Sequence, residues 1–260
     1  MVSIHHEKKL CYFHIPKTAG SYIQKTLHLY YDFKNYNKLA RYDLDEITFN
    51  SNFFKKKPNI INNQNFFATN PYSTKKIGIQ KYYSTSPILL SIMNLNDNAW
   101  DNLFKFTFVR NPYTRFISSW NYVINGFKTK QIMNDKKYTL TDIEKYTDLK
   151  YTILNKELLN PIAYNHIFMT QYDHILDKNN NNNMDFIGKT ENLETDLEIV
   201  LNNNNINQIN HIKETCVNKT AHKDYKEYYT QDILDFVNNF FDIDFKEFGY
   251  NKIYDIDNLK

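Results

Sequence analysis

Two residue types on which anion sites depend are scarce in this chain. It holds five glycines and three arginines among 260 residues. One glycine, Gly20, stands in HIPKTAGS (His14–Ser21). Two of the arginines, Arg110 and Arg115, stand in FKFTFVRNPYTRFISSW (Phe104–Trp120). Where a rare residue type persists, a physical need is a better explanation than drift. In the first stretch Lys17 supplies a mobile ammonium that can follow phosphate or sulfate oxygens. Gly20 lets the backbone approach an anion without a Cβ in the way. Ser21 adds a hydroxyl donor. In the second stretch Arg110 offers a planar fork that grips a phosphate through two parallel hydrogen bonds. Ser118, about two helical turns on, can bring its hydroxyl to the same anion. The chemistry these residues suit is the holding of phosphate or sulfate groups.

Position decides whether they do so. LCYFHI (Leu10–Ile15) is a short apolar run that ends at Pro16, the pattern of a buried strand. Ile23, Leu27, Tyr30 and Tyr31 then recur at helical spacing. The KTAG segment is therefore a strand-to-helix turn, where backbone N–H groups and the positive helix end attract anions. Its spacing is not that of a Walker A loop, since G-x-x-x-x-G-K-[ST] is absent. FKFTFV (Phe104–Val109) reads as a second strand, and Pro112 opens a helix with Phe116, Ile117, Trp120 and Ile124 on one face. Arg110 thus falls at the carboxyl end of a strand, where open parallel sheets bind ligands. Each stretch has a plainer alternative. Lys17 can be a solvated lysine on an ordinary turn, and Arg110 can serve a structural ion pair.

Further along, residues 141–175 read as helical with a break near Pro161, and MDFIG (Met184–Gly188) as a third strand. Leu193, Leu197, Val200 and Leu201 mark a helix. Ile233, Phe236, Val237, Phe240 and Phe241 mark an amphipathic helix ending near Gly249. Ser86-Pro87 has the form of a helix start. Residues 32–86 have little periodicity and read as a loop-rich insertion, with a Lys55–Lys57 run that suits a solvated face or an anionic acceptor. Alternating strands and helices imply an α/β fold with a mainly parallel sheet flanked by helices.

Composition adds boundaries. The net charge of +3, from 32 basic and 29 acidic residues, gives no reason to expect a nucleic-acid partner. Hydrophobic residues at 42% suffice for a full core. Cys11 and Cys216 lack metal-site spacing and are expected to be reduced thiols. No apolar run approaches the length of a membrane span, so neither anchor nor secretory signal is expected.

Together the two motifs resemble the donor-binding pair of the carbohydrate-type sulfotransferases, the broad family that includes heparan and chondroitin sulfotransferases and many bacterial and viral relatives. DFIGKTENLETDL (Asp185–Leu197) and the segment His222–Tyr250 resemble the family's later regions, so the likeness runs nearly the whole chain. The resemblance implies a single sulfotransferase domain over residues 1–260, with a P-loop-like three-layer fold. It implies 3′-phosphoadenosine 5′-phosphosulfate as donor and a hydroxyl acceptor, with sugars favoured. Lys17, Thr18, Ala19, Gly20 and Ser21 would hold the 5′-phosphosulfate, with Lys17 catalytic. Arg110 and Ser118 would hold the 3′-phosphate. No metal is implied. A cytoplasmic setting, bacterial or in a virus-infected cell, is the expectation, with the Golgi lumen of the animal relatives as the alternative.

Departures are visible. Tyr22 replaces a small or hydroxylated residue, Lys189 stands where arginine is common, and Tyr82 falls where many bacterial relatives place a histidine. The general base is open among His14, His166 and His211. Glu191 reads instead as a helix-start residue favoured by the dipole. Two other functions fit parts of the pattern. One is a nucleotide-dependent phosphotransferase, which would need a P-loop and an acidic Mg²⁺ ligand. The other is a non-catalytic protein that binds the nucleotide or an anionic glycan.

Overall fold

A computed structural model of the chain describes residues 2–5, 7–31, 34–35, 102–128, 144–159, 161–176, 181–206 and 223–259. The helix start at Ser86-Pro87, the Lys55–Lys57 run, Tyr82, His211 and Cys216 lie outside them, as does all of the expected insertion but Lys34 and Asn35. The chain forms two compact units. One comprises Met1–Val109 and Asp173–Asn218, the other Arg110–Tyr172 and Lys219–Lys260.

The first unit is mixed α/β. Its strands are β1 (Val2–His5), β2 (Leu10–Phe13), β3 (Lys34–Asn35), β4 (Phe104–Val109) and β5 (Phe186–Lys189), in the order β3-β1-β2-β4-β5. β2 and β4 are parallel, with Leu10 opposite Phe104 and Phe13 opposite Thr107. β4 and β5 are parallel, with Val109 opposite Lys189. These are the three strands expected from sequence. β1 and β3 add an antiparallel margin that was not expected. VSIH is half polar and only four residues long, so it offers little strand signal before its partner is known. Lys9, at φ 53°, takes the left-handed conformation needed to turn the chain from β1 into β2.

Successive strand residues point to opposite faces. Leu10, Tyr12, Phe106 and Phe108 share one face and pack with Ile23 and Leu27 of α1 (Gly20–Tyr30) and with Leu197, Val200 and Leu201 of α6 (Leu193–Asn203). Gly188 of β5 has a packing reason. A Cβ there would lie 2.5 Å from the Phe108 ring. Ladder ends are tied by side chains. Asp185 accepts from the Lys105 amide at 2.7 Å and its own amide donates to the Lys105 carbonyl at 2.8 Å, which extends the β4–β5 pairing by a residue.

The second unit is helical. α2 (Pro112–Lys128) carries Phe116, Ile117, Trp120 and Ile124, all buried, into a core with Phe168, Ile233, Val237 and Phe241. The expected helical stretch 141–175 is broken more than once, into α3 (Leu149–Leu154), α4 (Pro161–Ile167) and α5 (Gln171–Ile175). The expected C-terminal helix is two, α7 (Gln231–Phe240) and α8 (Asp242–Glu247). Gly249, at φ 63°, ends the second, and the Tyr250 amide reaches back to the Phe245 carbonyl at 2.9 Å. Tyr113 pins the start of α2: its hydroxyl donates to Asn238 Oδ1 at 2.5 Å and accepts from the Ile253 amide at 2.7 Å.

Candidate anion site

Lys17, Thr18, Ala19, Gly20 and Ser21 occupy one turn between β2 and α1. The strand stops at Phe13, two residues before the expected end, and its last carbonyl is taken by a side chain. The buried Thr107 hydroxyl on β4 donates to Phe13 O at 2.7 Å. Thr18, fully buried, closes the turn by donating from Oγ1 to the Ile15 carbonyl at 2.9 Å. Its hydroxyl proton is thereby committed, so any donation by Thr18 to an anion has to come from its amide. Lys17 and Ala19 both lie in the left-handed region, at φ 69° and 57°. Each non-glycine residue there costs about 1–2 kcal/mol. Such residues cluster at ligand clamps and tight turns.

Ala19 begins the helix. Its carbonyl accepts from the Tyr22 and Ile23 amides at 2.9 and 3.1 Å. No side chain caps this end and no carboxylate sits in the first turn. The Gly20 and Ser21 amides at the start of α1 have no intrahelical acceptor, and the positive helix end is not offset by an acid of its own. Lys17 is half-buried and Ser21 is exposed.

Gly20 has a packing reason besides the one expected. The space its Cβ would fill is occupied by the His14 ring, with Cδ2 1.8 Å and Nε2 2.0 Å from the added atom. A half-buried imidazole lies against Gly20 and leaves no room for a side chain. Among the candidate bases, His14 is the one on this loop. His166 stacks on Tyr122 with ring centroids 5.3 Å apart, in the helical unit. Glu191 falls in the 3-10 turn that leads into α6, as expected of a helix-start residue.

Arg110 directly follows β4 and is half-buried. β2 and β4 are parallel neighbours, so within the first unit the two strands end on the same side of the sheet. Three side chains organise the Arg110 segment. Asn111 Oδ1 accepts from the Tyr113 amide at 3.0 Å, capping α2 ahead of Pro112. Thr114 accepts from Arg110 Nε at 3.0 Å and donates to the Asn111 carbonyl at 3.0 Å. Gln171 matches both main-chain groups of Arg110, accepting its N–H at Oε1 and donating from Nε2 to its carbonyl, each at 2.8 Å. Ser118 lies on α2, one turn beyond Thr114, and is half-buried. Like α1, α2 has no acidic residue in its first turn.

Arg115, though in the same motif, is structural. It is 1% exposed, donates from Nη1 to the Met169 carbonyl at 3.1 Å, and is attracted by the buried Asp244. Burial pushes its pKa down to about 10, with Asp244 acting against the shift, so it stays cationic at neutral pH. Burial also raises the Asp244 carboxyl, against the pull of Arg115 and of the Gln171 and Tyr172 amides that it accepts. Sequence reasoning missed Thr114, Gln171 and Asp244. Thr114 was legible as the residue one turn after Arg110. The other two carry no local signal.

Parallel strands that open into a strained lysine-bearing turn and an uncapped helix define a mixed α/β protein. The chain belongs to the sulfotransferase family, whose family model matches residues 1–251. No curated protein and no solved structure matches it. Among the described residues, no group of three or more His, Cys, Asp or Glu could hold a metal ion, and no helix is long and apolar enough to cross a membrane.

Proposed function

We propose that this sulfotransferase-family enzyme moves a sulfuryl group from 3′-phosphoadenosine 5′-phosphosulfate to a hydroxyl acceptor, with carbohydrate the favoured class. The observation that carries the reading is the turn itself. Lys17 sits beside uncapped helix amides in a loop whose backbone is held in a costly conformation. We extend the reading to one P-loop-like sulfotransferase domain spanning residues 1–260. In it Lys17, Ala19, Gly20 and Ser21, with the Thr18 amide, hold the 5′-phosphosulfate. Arg110 and Ser118 hold the 3′-phosphate.

The acceptor oxygen attacks sulfur in line and forms the new S–O bond. The bond from sulfur to the oxygen bridging it to the 5′-phosphate breaks, and 3′-phosphoadenosine 5′-phosphate leaves. The acceptor proton passes to a base, and among His14, His166 and His211 we favour His14, which precedes the Lys17 turn. Negative charge grows on the bridging oxygen as its bond to sulfur fails. Lys17 and the leading amides of α1 meet that charge, as preorganised donors do at other developing anions. Holding both ends of the nucleotide supplies orientation.

Lys17→Ala is expected to lose at least about two orders of magnitude in turnover, the typical cost of removing one such donor. Transfer of labelled sulfate from the donor to a panel of sugars measures this. Near-normal turnover in the mutant sinks the assignment. Calorimetry separates the rival chemistries. Tight binding of 3′-phosphoadenosine 5′-phosphate over ATP supports the sulfuryl donor, whereas Mg²⁺-dependent preference for ATP supports a phosphotransferase. Nucleotide binding with no transfer to any acceptor leaves a non-catalytic binding protein.

A further inference from the structure

We propose that Gln171 is a positioning residue for Arg110: its carboxamide, held by the buried Asp244, fixes the main chain at the exit of β4 and so the point from which the Arg110 side chain reaches the donor's 3′-phosphate. This rests on the reading of Arg110 given above.

The geometry is specific to a carboxamide. β4 ends at Val109, so Arg110 is the first residue after the strand. One side chain substitutes for a missing strand partner, since Gln171 Oε1 accepts the Arg110 N–H and Nε2 donates to the Arg110 carbonyl, both at 2.8 Å. Among side chains in their usual state at neutral pH, a carboxamide places an acceptor and a donor side by side in this way. Gln171 is fully buried, which makes an unmatched polar atom there costly.

The carboxamide is itself located. The Gln171 amide donates to Asp244 Oδ2 at 2.9 Å and the Tyr172 amide to Oδ1 at 2.9 Å. Gln171 Nε2 lies 3.4 Å from the same Oδ2. Asp244 thus supplies the acceptors for the first amides of α5 from the neighbouring α8. Arg115 holds the approach to α5 through the Met169 carbonyl, two residues before Gln171. On the other side, Thr114 holds Arg110 Nε at 3.0 Å. Main chain and guanidinium are therefore anchored separately. An arginine anchored at both ends loses less freedom when it takes up an anion.

The test is calorimetry on the full chain with two probes, 3′-phosphoadenosine 5′-phosphate and adenosine 5′-phosphate, which lacks the 3′-phosphate. Gln171→Met keeps the volume and loses both hydrogen bonds. It is expected to weaken the first ligand about ten-fold and leave the second unchanged. Gln171→Glu is expected to be worse, because an acceptor then faces the Arg110 carbonyl. In sulfate-transfer assays, the donor KM rises more than kcat falls. In an Arg110→Ala background, Gln171→Met has no further effect. Equal losses for both ligands would show a merely structural role and overturn the proposal. So would unchanged binding in Gln171→Met alongside weakened binding in Arg110→Ala. If Arg110→Ala itself leaves the first ligand unaffected, the reading of Arg110 falls and this inference with it. Should the variants fail to fold, hydrogen exchange at the Arg110 amide of the native protein decides. Protection supports the Gln171 bond, and rapid exchange overturns it.

Discussion

At Gly20 the residue type is set by a neighbour's ring as much as by any ligand. The His14 imidazole fills the space where a side chain would begin. Gly20→Ala has to expel that ring, at about 1–3 kcal/mol for an overpacked site. The loss is expected in urea unfolding, and His14→Ala in the same molecule is expected to recover most of it. Full additivity of the two substitutions would show that the ring and the glycine are not coupled. Lys17 and Ala19 illustrate the same point through the backbone. Neither residue announces a left-handed conformation, yet both adopt one. Lys17 was legible as a charge in a strand-to-helix turn, because a turn follows from a buried strand and a helical period. The dihedrals that aim it were not, since they depend on Thr18 closing onto Ile15.

At the scale of elements, β2 and β4 decide where the loops begin. Their register puts Thr107 opposite Phe13, and the threonine hydroxyl meets the last carbonyl of the strand. Thr107→Val keeps the shape and removes the donor. The Phe13 carbonyl is then buried without that bond, at an expected cost of about 1–3 kcal/mol. A melting temperature equal to that of the native protein would show the bond to be dispensable. FKFTFV was readable as this strand to the residue, and α2 was readable from Pro112 and its apolar stripe. The N-terminal strand β1 was not. A four-residue strand with alternate polar positions looks like surface chain until β2 and β3 lie beside it.

At the scale of the whole molecule, the sheet unit and the helical unit each have their own core. The helical unit contains a buried cation, Arg115, and a buried acid, Asp244, that attracts it. Arg115→Met removes the bond to the Met169 carbonyl and the attraction to that acid, at an expected cost of about 1–3 kcal/mol. The pH dependence has a definite sign. The Asp244 carboxyl is raised above its usual range in the folded protein, and Arg115 is one of the groups holding it down. Removing Arg115 raises it further. A carboxyl with a raised folded pKa contributes stability below its unfolded pKa, and that contribution is lost as pH rises through the folded value. The destabilisation by Arg115→Met is therefore expected to be smaller near pH 4.5 than near pH 7.5, measured by denaturant unfolding at both. A larger loss at the acid end would overturn the assignment of Asp244 as the partner.

Sequence by itself determined the features that near neighbours encode: the period of the strands and helices, the turn carrying Lys17, the proline that starts α2, and the family resemblance those motifs carry. The tertiary structure alone decided which distant groups meet around Arg110. Gln171 meets Arg110 across 61 positions and Asp244 meets Gln171 across 73. Hydrophobic periodicity is a local property, repeated every two or three to four residues, so a single chain displays it openly. A buried hydrogen bond between remote residues has no such repeat. It is specified only when packing has brought its donor and acceptor together and excluded the water that would otherwise satisfy them.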